Sequence, residues 1–514
     1  MESISRQPAM PCLSFDVLLI VMDFLDTRED VLSLAKTCRF LYHEGPSRLL
    51  GMRMYFYQIL GPLLYPREYM VPIDEFASYM ALHPSYFKYI KDIGFVLTSS
   101  SSPSDDVGSN LTGLLYSVLR RAGNLNTLVL DVPVQSAPDN PFPTHLSFCN
   151  LRHLTMGNFS DDTVQFLKTL VAPLETLHIT ADNQIEVNFI LLMANFAATL
   201  QELEAYIFAW QVESPPHRII FPLLSSLLFT LDTPELGPLI EAFPNIKHLS
   251  LQLCYILNIE NANSDREENI RQEEVLAQSG CRTWSQLEQV DGSILALYGL
   301  GLTCKVDILR LEDFKYSMNL VGIFQTLLMD TRPRILQVNL CRDEPSSIHE
   351  IVSNDNTETA RRTFAYPGLS RLTLGMECLD SPEEVQLTID CANELLKLSK
   401  SLTSLNLCIR IQSHSQIAAT FGIFFLQYRS ASPHPIDIFT KEYNHQALAR
   451  RFFTEIPSLK YFVVRFKRDN GLSRSFTYGW KVATQNTSGE LVNVDDSSHC
   501  IILEDGRRLI RLYD

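Results

Sequence analysis

The sequence predicts an α/β protein: an all-α N-terminal segment followed by an irregular solenoid of strand–helix units, parallel sheet on the concave face and helices outside. Three observations carry this. The pattern apolar-x-x-apolar-x-apolar recurs twelve times between Ile90 and Leu459, as in "LNTLVL", "LETLHI", "LSRLTL" and "LTSLNL". Successive starts at Leu125, Leu151, Leu174, Leu200, Leu224 and Ile246 lie 26, 23, 26, 24 and 22 residues apart. Between them the chain often reads as helix, over 160–171 ("SDDTVQFLKTLV") and 184–200 ("QIEVNFILLMANFAATL"). A strand plus a helix is too small to bury its own apolar face, so such units must stack.

The N-terminal segment, residues 10–50, carries two amphipathic stretches. Leu18, Val21, Met22 and Leu25 recur at helical spacing, with Ser14 as N-cap and Asp16 in the first turn. Thr27 and Asp30 make a shortened capping box for a second helix whose apolar face is Val31, Leu34, Ala35 and Cys38. That helix is expected to stop near Gly45 and Pro46. Two such helices cannot hide both apolar faces on each other. The missing cover is either the body of the same chain or a second protein.

Residues 51–88 read as a helical linker and 89–466 as degenerate repeats. Three stretches break the period. Residues 98–110 are Ser/Asp-rich and loop-like. Within 258–300, the segment from Glu260 to Glu274 holds six acids against two bases, a solvated insertion of net −4. A third insertion, 412–455, ends in the helical "EYNHQALARRFF". The tail, 467–514, alternates polar and apolar residues between turn signals and predicts a strand-rich cap closing the sheet edge.

Composition narrows the function classes. A formal net charge of −16 disfavours nucleic acid and anionic membrane as partners. No apolar run is long enough to span a bilayer; "IAATFGIFFL" is about half the required length. Eleven scattered cysteines without ligand spacing read as reduced thiols of an intracellular protein, cytoplasmic or nuclear. No phosphate-binding loop, nucleophile elbow or H-E-x-x-H is present, and the histidines are isolated. The expectation is a chain without catalysis, metal or cofactor, acting by binding.

Strand alternation turns the residues between and beside the apolar positions outward. This nominates His153, His178, Glu202, Tyr206, His248, Arg310, Asn339, Arg371, Asn406 and Tyr461 as a surface for an unknown protein substrate.

Leu13, Asp16, Val17, Leu18, Val21, Leu25, Asp30, Val31, Leu32, Cys38, Phe40 and Leu41 follow in the order that resembles an F-box, with Ser14 where that family usually has proline. The repeats are similar to those of F-box proteins with leucine-rich repeats, although the consensus Asn or Cys after each strand is mostly missing; Cys254 is the clearest instance. The resemblance implies a substrate-recognition subunit of an SCF-type (cullin-RING) ubiquitin ligase. It implies that Leu13, Ser14, Val17, Leu18, Val21, Leu25, Leu34, Cys38 and Leu41 meet a Skp-type adaptor and, through it, the cullin complex. The alternative is a non-catalytic interaction scaffold outside the ubiquitin system.

Overall fold

In a computed structural model of the chain the described residues are 14–58, 73–97, 114–115, 117–131, 146–147, 150–157, 161–180, 187–206, 210–211, 219–231, 236–253, 283–315, 318–341, 361–362, 364–379, 381–412, 444–469, 474–482 and 491–493. Leu13, Cys254, the 98–110 loop and most of the other two expected insertions lie outside them. The chain forms two compact units, one of residues 1–233 with 241–245 and the other of 234–240 with 246–514.

The first unit opens with α1 (Phe15–Asp23), α2 (Arg28–Ala35) and α3 (Arg39–Gly51). Both expected N-caps form. The Val17 amide donates to Ser14 Oγ at 3.4 Å, and Thr27 Oγ1 accepts from the Asp30 amide at 3.2 Å while donating to the Asp30 carboxylate at 2.7 Å. The expected stop at Gly45 and Pro46 does not occur; α3 runs through both. Cys38 leaves the face of α2 and becomes the N-cap residue of α3. The reason is packing. A Cβ on Gly45 would lie 2.8 Å from Ala35 Cβ, so glycine lets α3 press onto α2, and that contact outweighs the helix-breaking tendency of proline. Met22, Val31, Ala35 and Leu41 form the core of this module.

Arg48 of α3 closes the end of α1. Its Nε donates to Met22 O at 3.2 Å, and its Nη2 to Asp23 O at 2.5 Å and Leu25 O at 3.4 Å. Met22 O also accepts from the Leu25 amide, so Arg48 adds bonds at the C-terminal end of α1, where a cation also meets the negative end of the helix dipole. Arg48→Ala should loosen α1 by about 1–3 kcal/mol. Faster hydrogen exchange of the α1 amides, with β-strand amides unchanged, is the expected readout.

Seven parallel strands follow in the first unit: β1 (Met54–Gln58), β2 (Asp92–Leu97), β3 (Thr127–Asp131), β4 (His153–Met156), β5 (Thr176–Thr180), β6 (Glu202–Tyr206) and β7 (Ser226–Leu231), each paired with the next. The second unit holds seven more in sequence, β8 (His248–Leu253), β9 (Gln286–Gly292), β10 (Lys305–Lys315), β11 (Ile335–Cys341), β12 (Arg371–Leu379), β13 (Ser404–Gln412) and β14 (Tyr461–Asp469). Two antiparallel strands, β15 (Arg474–Val482) and β16 (Leu491–Asn493), complete it. Each unit is thus mixed α/β around a parallel sheet.

Alternation is strict in the short strands: Leu128, Leu130, Leu177 and Ile179 are buried and their neighbours half-exposed. Helices cover the buried face, as where α4 (Pro382–Leu396) packs on β12 and β13 and α5 (His445–Glu455) places Phe452 against Phe462. Asn393 of α4 is fully buried and donates to Glu455 of α5 at 2.7 Å; Arg451 of α5 pairs with Asp390 of α4. No helix among the described residues is long and apolar enough to cross a membrane.

A bonding device repeats at the entry to most strands. Two successive amides donate to one carbonyl of the preceding unit: Arg152 and His153 to Asn126, Glu175 and Thr176 to Arg152, Thr403 and Ser404 to Ser370, Lys460 and Tyr461 to Thr403. Side chains reinforce it, with Asn150 donating to Gly123 O, Asn195 to Lys168 O and Ser370 to Arg334 O.

Two of these labelled strands lie where none was expected. β1 falls in the stretch read as helical linker, and β9 in the stretch read as the 258–300 insertion. In β9 the buried Leu287 and Val290 are three residues apart, so the period of two is broken. The long helix expected over 184–200 is reduced to Phe189–Leu192 and a 3-10 turn, Ala194–Phe196, both beginning after the strand residues Val187–Asn188.

Candidate functional site

Two surfaces stand out, one in each unit. On the N-terminal helices the residues nominated for an adaptor divide by exposure. Val17 and Val21 are exposed, and Ser14 is exposed while capping α1. Leu18, Leu25, Leu34 and Cys38 are half-buried against the module's own core. Leu41 is fully buried and offers nothing to a partner, because α3 turns it between α1 and α2. The third helix therefore supplies part of the cover that two helices lack.

What it leaves open is a second apolar stripe on α1. Ile20 and Phe24 are 56 and 79% exposed and share a face with Val17 and Val21; Phe15, 54% exposed, lies round the helix from Phe24, its ring 4.9 Å from that of Phe40 at the start of α3. These residues carry the outward surface of the module. Of the expected apolar face, Leu18, Met22 and Leu25 turn inward while Val21 is exposed, and the remaining apolar positions Val17, Ile20 and Phe24 were the signal for the outward face.

Between this module and the 3-10 turn Pro84–Tyr89 lies a pocket of about 560 Å3 walled by Tyr42, His43, Tyr79, His83 and Tyr86, with Arg28 at its side. The rings of His83 and Tyr86 stack at 5.4 Å. Burial, aided by the Tyr86 and Tyr42 hydroxyls, raises the Tyr79 pKa, and burial lowers that of Arg28.

Of the residues nominated on the sheets, four sit in the first unit. His153 and Glu202 share one row across β4, β5 and β6, with Thr176 between them. His178 Nδ1 lies 3.7 Å from Glu204, whose carboxylate also accepts from the Tyr206 hydroxyl at 2.7 Å. His178 Nε2, by contrast, is buried with no hydrogen-bond partner among the described residues. His248, in the second unit, lies 3.6 Å from Glu288, whose pKa is lowered chiefly by its hydrogen bond from Lys247.

The other five, Arg310, Asn339, Arg371, Asn406 and Tyr461, come together around a pocket of about 480 Å3 on the face of the second sheet that the helices leave uncovered. Strand register explains how. Arg310, Gln337, Thr373, Asn406 and Val463 occupy one row across β10 to β14; Arg371, Ser404 and Tyr461 lie in the row on one side, and Asn339, Gly375, Cys408 and Arg465 in the row on the other. One step further, Glu377, Arg410 and Lys467 align. The centre is floored by short side chains, Thr373, Asn406 and Cys408, and four arginines line it.

A Cβ on Gly375 would fall 2.2 Å from Asn339 Oδ1, so the amide lies over the glycine and a side chain there would push it aside. Arg310 and Arg410 have carboxylates at 3.7 Å (Asp291) and 3.8 Å (Glu377). Nε and Nη2 of Arg465 and Oδ1 of Asn406 are buried with no hydrogen-bond partner among the described residues. Cys408, Arg410 and Arg465 lie beyond the six-residue motif, because β13 and β14 continue their alternation through nine residues, whereas Thr373 lies inside the motif and was not nominated.

Among the described residues no group of three or more His, Cys, Asp and Glu could hold a metal ion. Burial pushes the Cys304 thiol up to about 11 and the Cys391 thiol up to about 12, so neither is a nucleophile at neutral pH. The chain matches no protein-family model and no curated protein.

Proposed function

We propose that α1 to α3 form an F-box-like docking module and that the chain is a substrate-recognition subunit of an SCF-type ubiquitin ligase, its strand–helix units acting as degenerate leucine-rich repeats. The observation that carries this reading is the exposed stripe of Ile20 and Phe24, flanked by Val17 and Val21, on a module that has its own core. An apolar patch that the chain itself does not cover marks a partner surface. On this reading the Skp-type adaptor takes the stripe, with Val17 and Val21 contributing. The repeat faces take the target protein. The chain then supplies proximity rather than chemistry, raising the effective concentration of a target lysine near the conjugating enzyme.

Ile20→Asp with Phe24→Asp tests it, because both side chains are exposed and the core should survive. Each buried apolar side chain contributes about 1.5–3 kcal/mol, so the pair should cut adaptor affinity by well over tenfold in co-purification. If the unmodified chain captures no Skp-type adaptor, the scaffold reading replaces the ligase one.

A further inference from the structure

We propose that the arginine-framed pocket of the second unit binds a small phosphorylated sugar or polyol. The proposal does not depend on the reading of the N-terminal helices. Four guanidinium groups, from Arg310, Arg371, Arg410 and Arg465, converge on one pocket of a chain whose net charge is −16. Two of them are held beside carboxylates at distances longer than a hydrogen bond. Arg465 has two buried N–H-bearing nitrogens and no acceptor for either. A buried cationic donor without an acceptor is costly, and an oxyanion supplies what is missing. Guanidinium groups grip phosphate in bidentate fashion, and several of them suit a group with multiple charged oxygens better than a single carboxylate.

The second orphan decides the rest of the ligand. Asn406 Oδ1 is a buried acceptor, and a fully ionised phosphate has no proton to give it. A hydroxyl does. Tyr461, Ser404 and Thr373 extend the same hydroxyl-matching surface around the floor. The volume, about 480 Å3, falls in the range of small-molecule sites. A compact molecule carrying both phosphate and hydroxyl groups satisfies Arg465 and Asn406 together.

Isothermal titration of the full chain with fructose 1,6-bisphosphate, glucose 6-phosphate and glycerol 3-phosphate tests this. Binding of at least one is expected, with none for unphosphorylated fructose. Arg465→Gln should weaken it at least tenfold, while Arg152→Gln, whose partner is Glu175 in the first unit, should leave it unchanged. Cys408 is half-buried on the pocket floor, so its alkylation in the unmodified protein, followed site by site by mass spectrometry, should slow severalfold with ligand bound. That readout does not depend on the variant folding. No binding by any of the three phosphates, no protection of Cys408, or undiminished binding in folded Arg465→Gln protein would overturn the proposal. So would capture of a phosphoserine peptide where the sugar phosphates fail, which assigns the pocket to a protein partner.

Discussion

Phe452→Ala should destabilise the second unit by about 3–5 kcal/mol, the cost of emptying a well-packed aromatic site. Phe452 is fully buried on α5 and stacks on Phe462 of β14, ring centroids 4.7 Å apart and planes 22° from parallel. Phe453 meets the same ring edge-on at 6.5 Å. Truncation therefore loses transferred area, a ring–ring contact and the fit between helix and sheet. Collapse cannot refill the space cheaply, because Asn393, Asp390, Glu455 and Arg451 tie α5 to α4. Urea unfolding with hydrogen exchange of the β14 amides should report the loss. A change below about 1 kcal/mol would mean that the helix does not rest on the sheet as described.

Gly45→Ala should destabilise the N-terminal module, against the ordinary sign. In the middle of an exposed helix the same change stabilises by about 1 kcal/mol. Here the new methyl would sit 2.8 Å from Ala35 Cβ, closer than carbon atoms pack, so α3 must lift off α2. Overpacking of this kind costs about 1–3 kcal/mol, and Gly45→Val should cost more. Ala35→Gly in the same chain should restore most of the loss, since it removes the other carbon of the clash. A thermal melt of the three variants checks this. Stabilisation by Gly45→Ala would show that α2 and α3 are not in contact at this point.

The sheets were legible because each strand buries every second residue, and the spacing of Leu125, Leu151, Leu174 and Leu200 follows from stacking equal units. What escaped the pattern did so for identifiable reasons. β9 breaks alternation between Leu287 and Val290. Pro46 sits inside a helix because Gly45 makes room for a contact that lies far away in local sequence rules. The pocket was half legible: Asn406 and Arg371 fall inside the repeated motif, whereas Arg410 and Arg465 lie on strand extensions beyond it. The consensus Asn or Cys after each strand is mostly missing, whereas Asn150 and Asn195, which bond to the carbonyls of Gly123 and Lys168, stand before theirs.

The paired amides at the strand entries separate alignment from loop length. The same bond joins Glu175 to Arg152, 23 residues earlier, and Lys460 to Thr403, 57 residues earlier. Because alignment is set at the point of entry, the stretch in between is free to grow or shrink without shifting any neighbour sideways. Such a chain can acquire new excursions during evolution, one unit at a time, while the arginines and amides on its sheet keep their places.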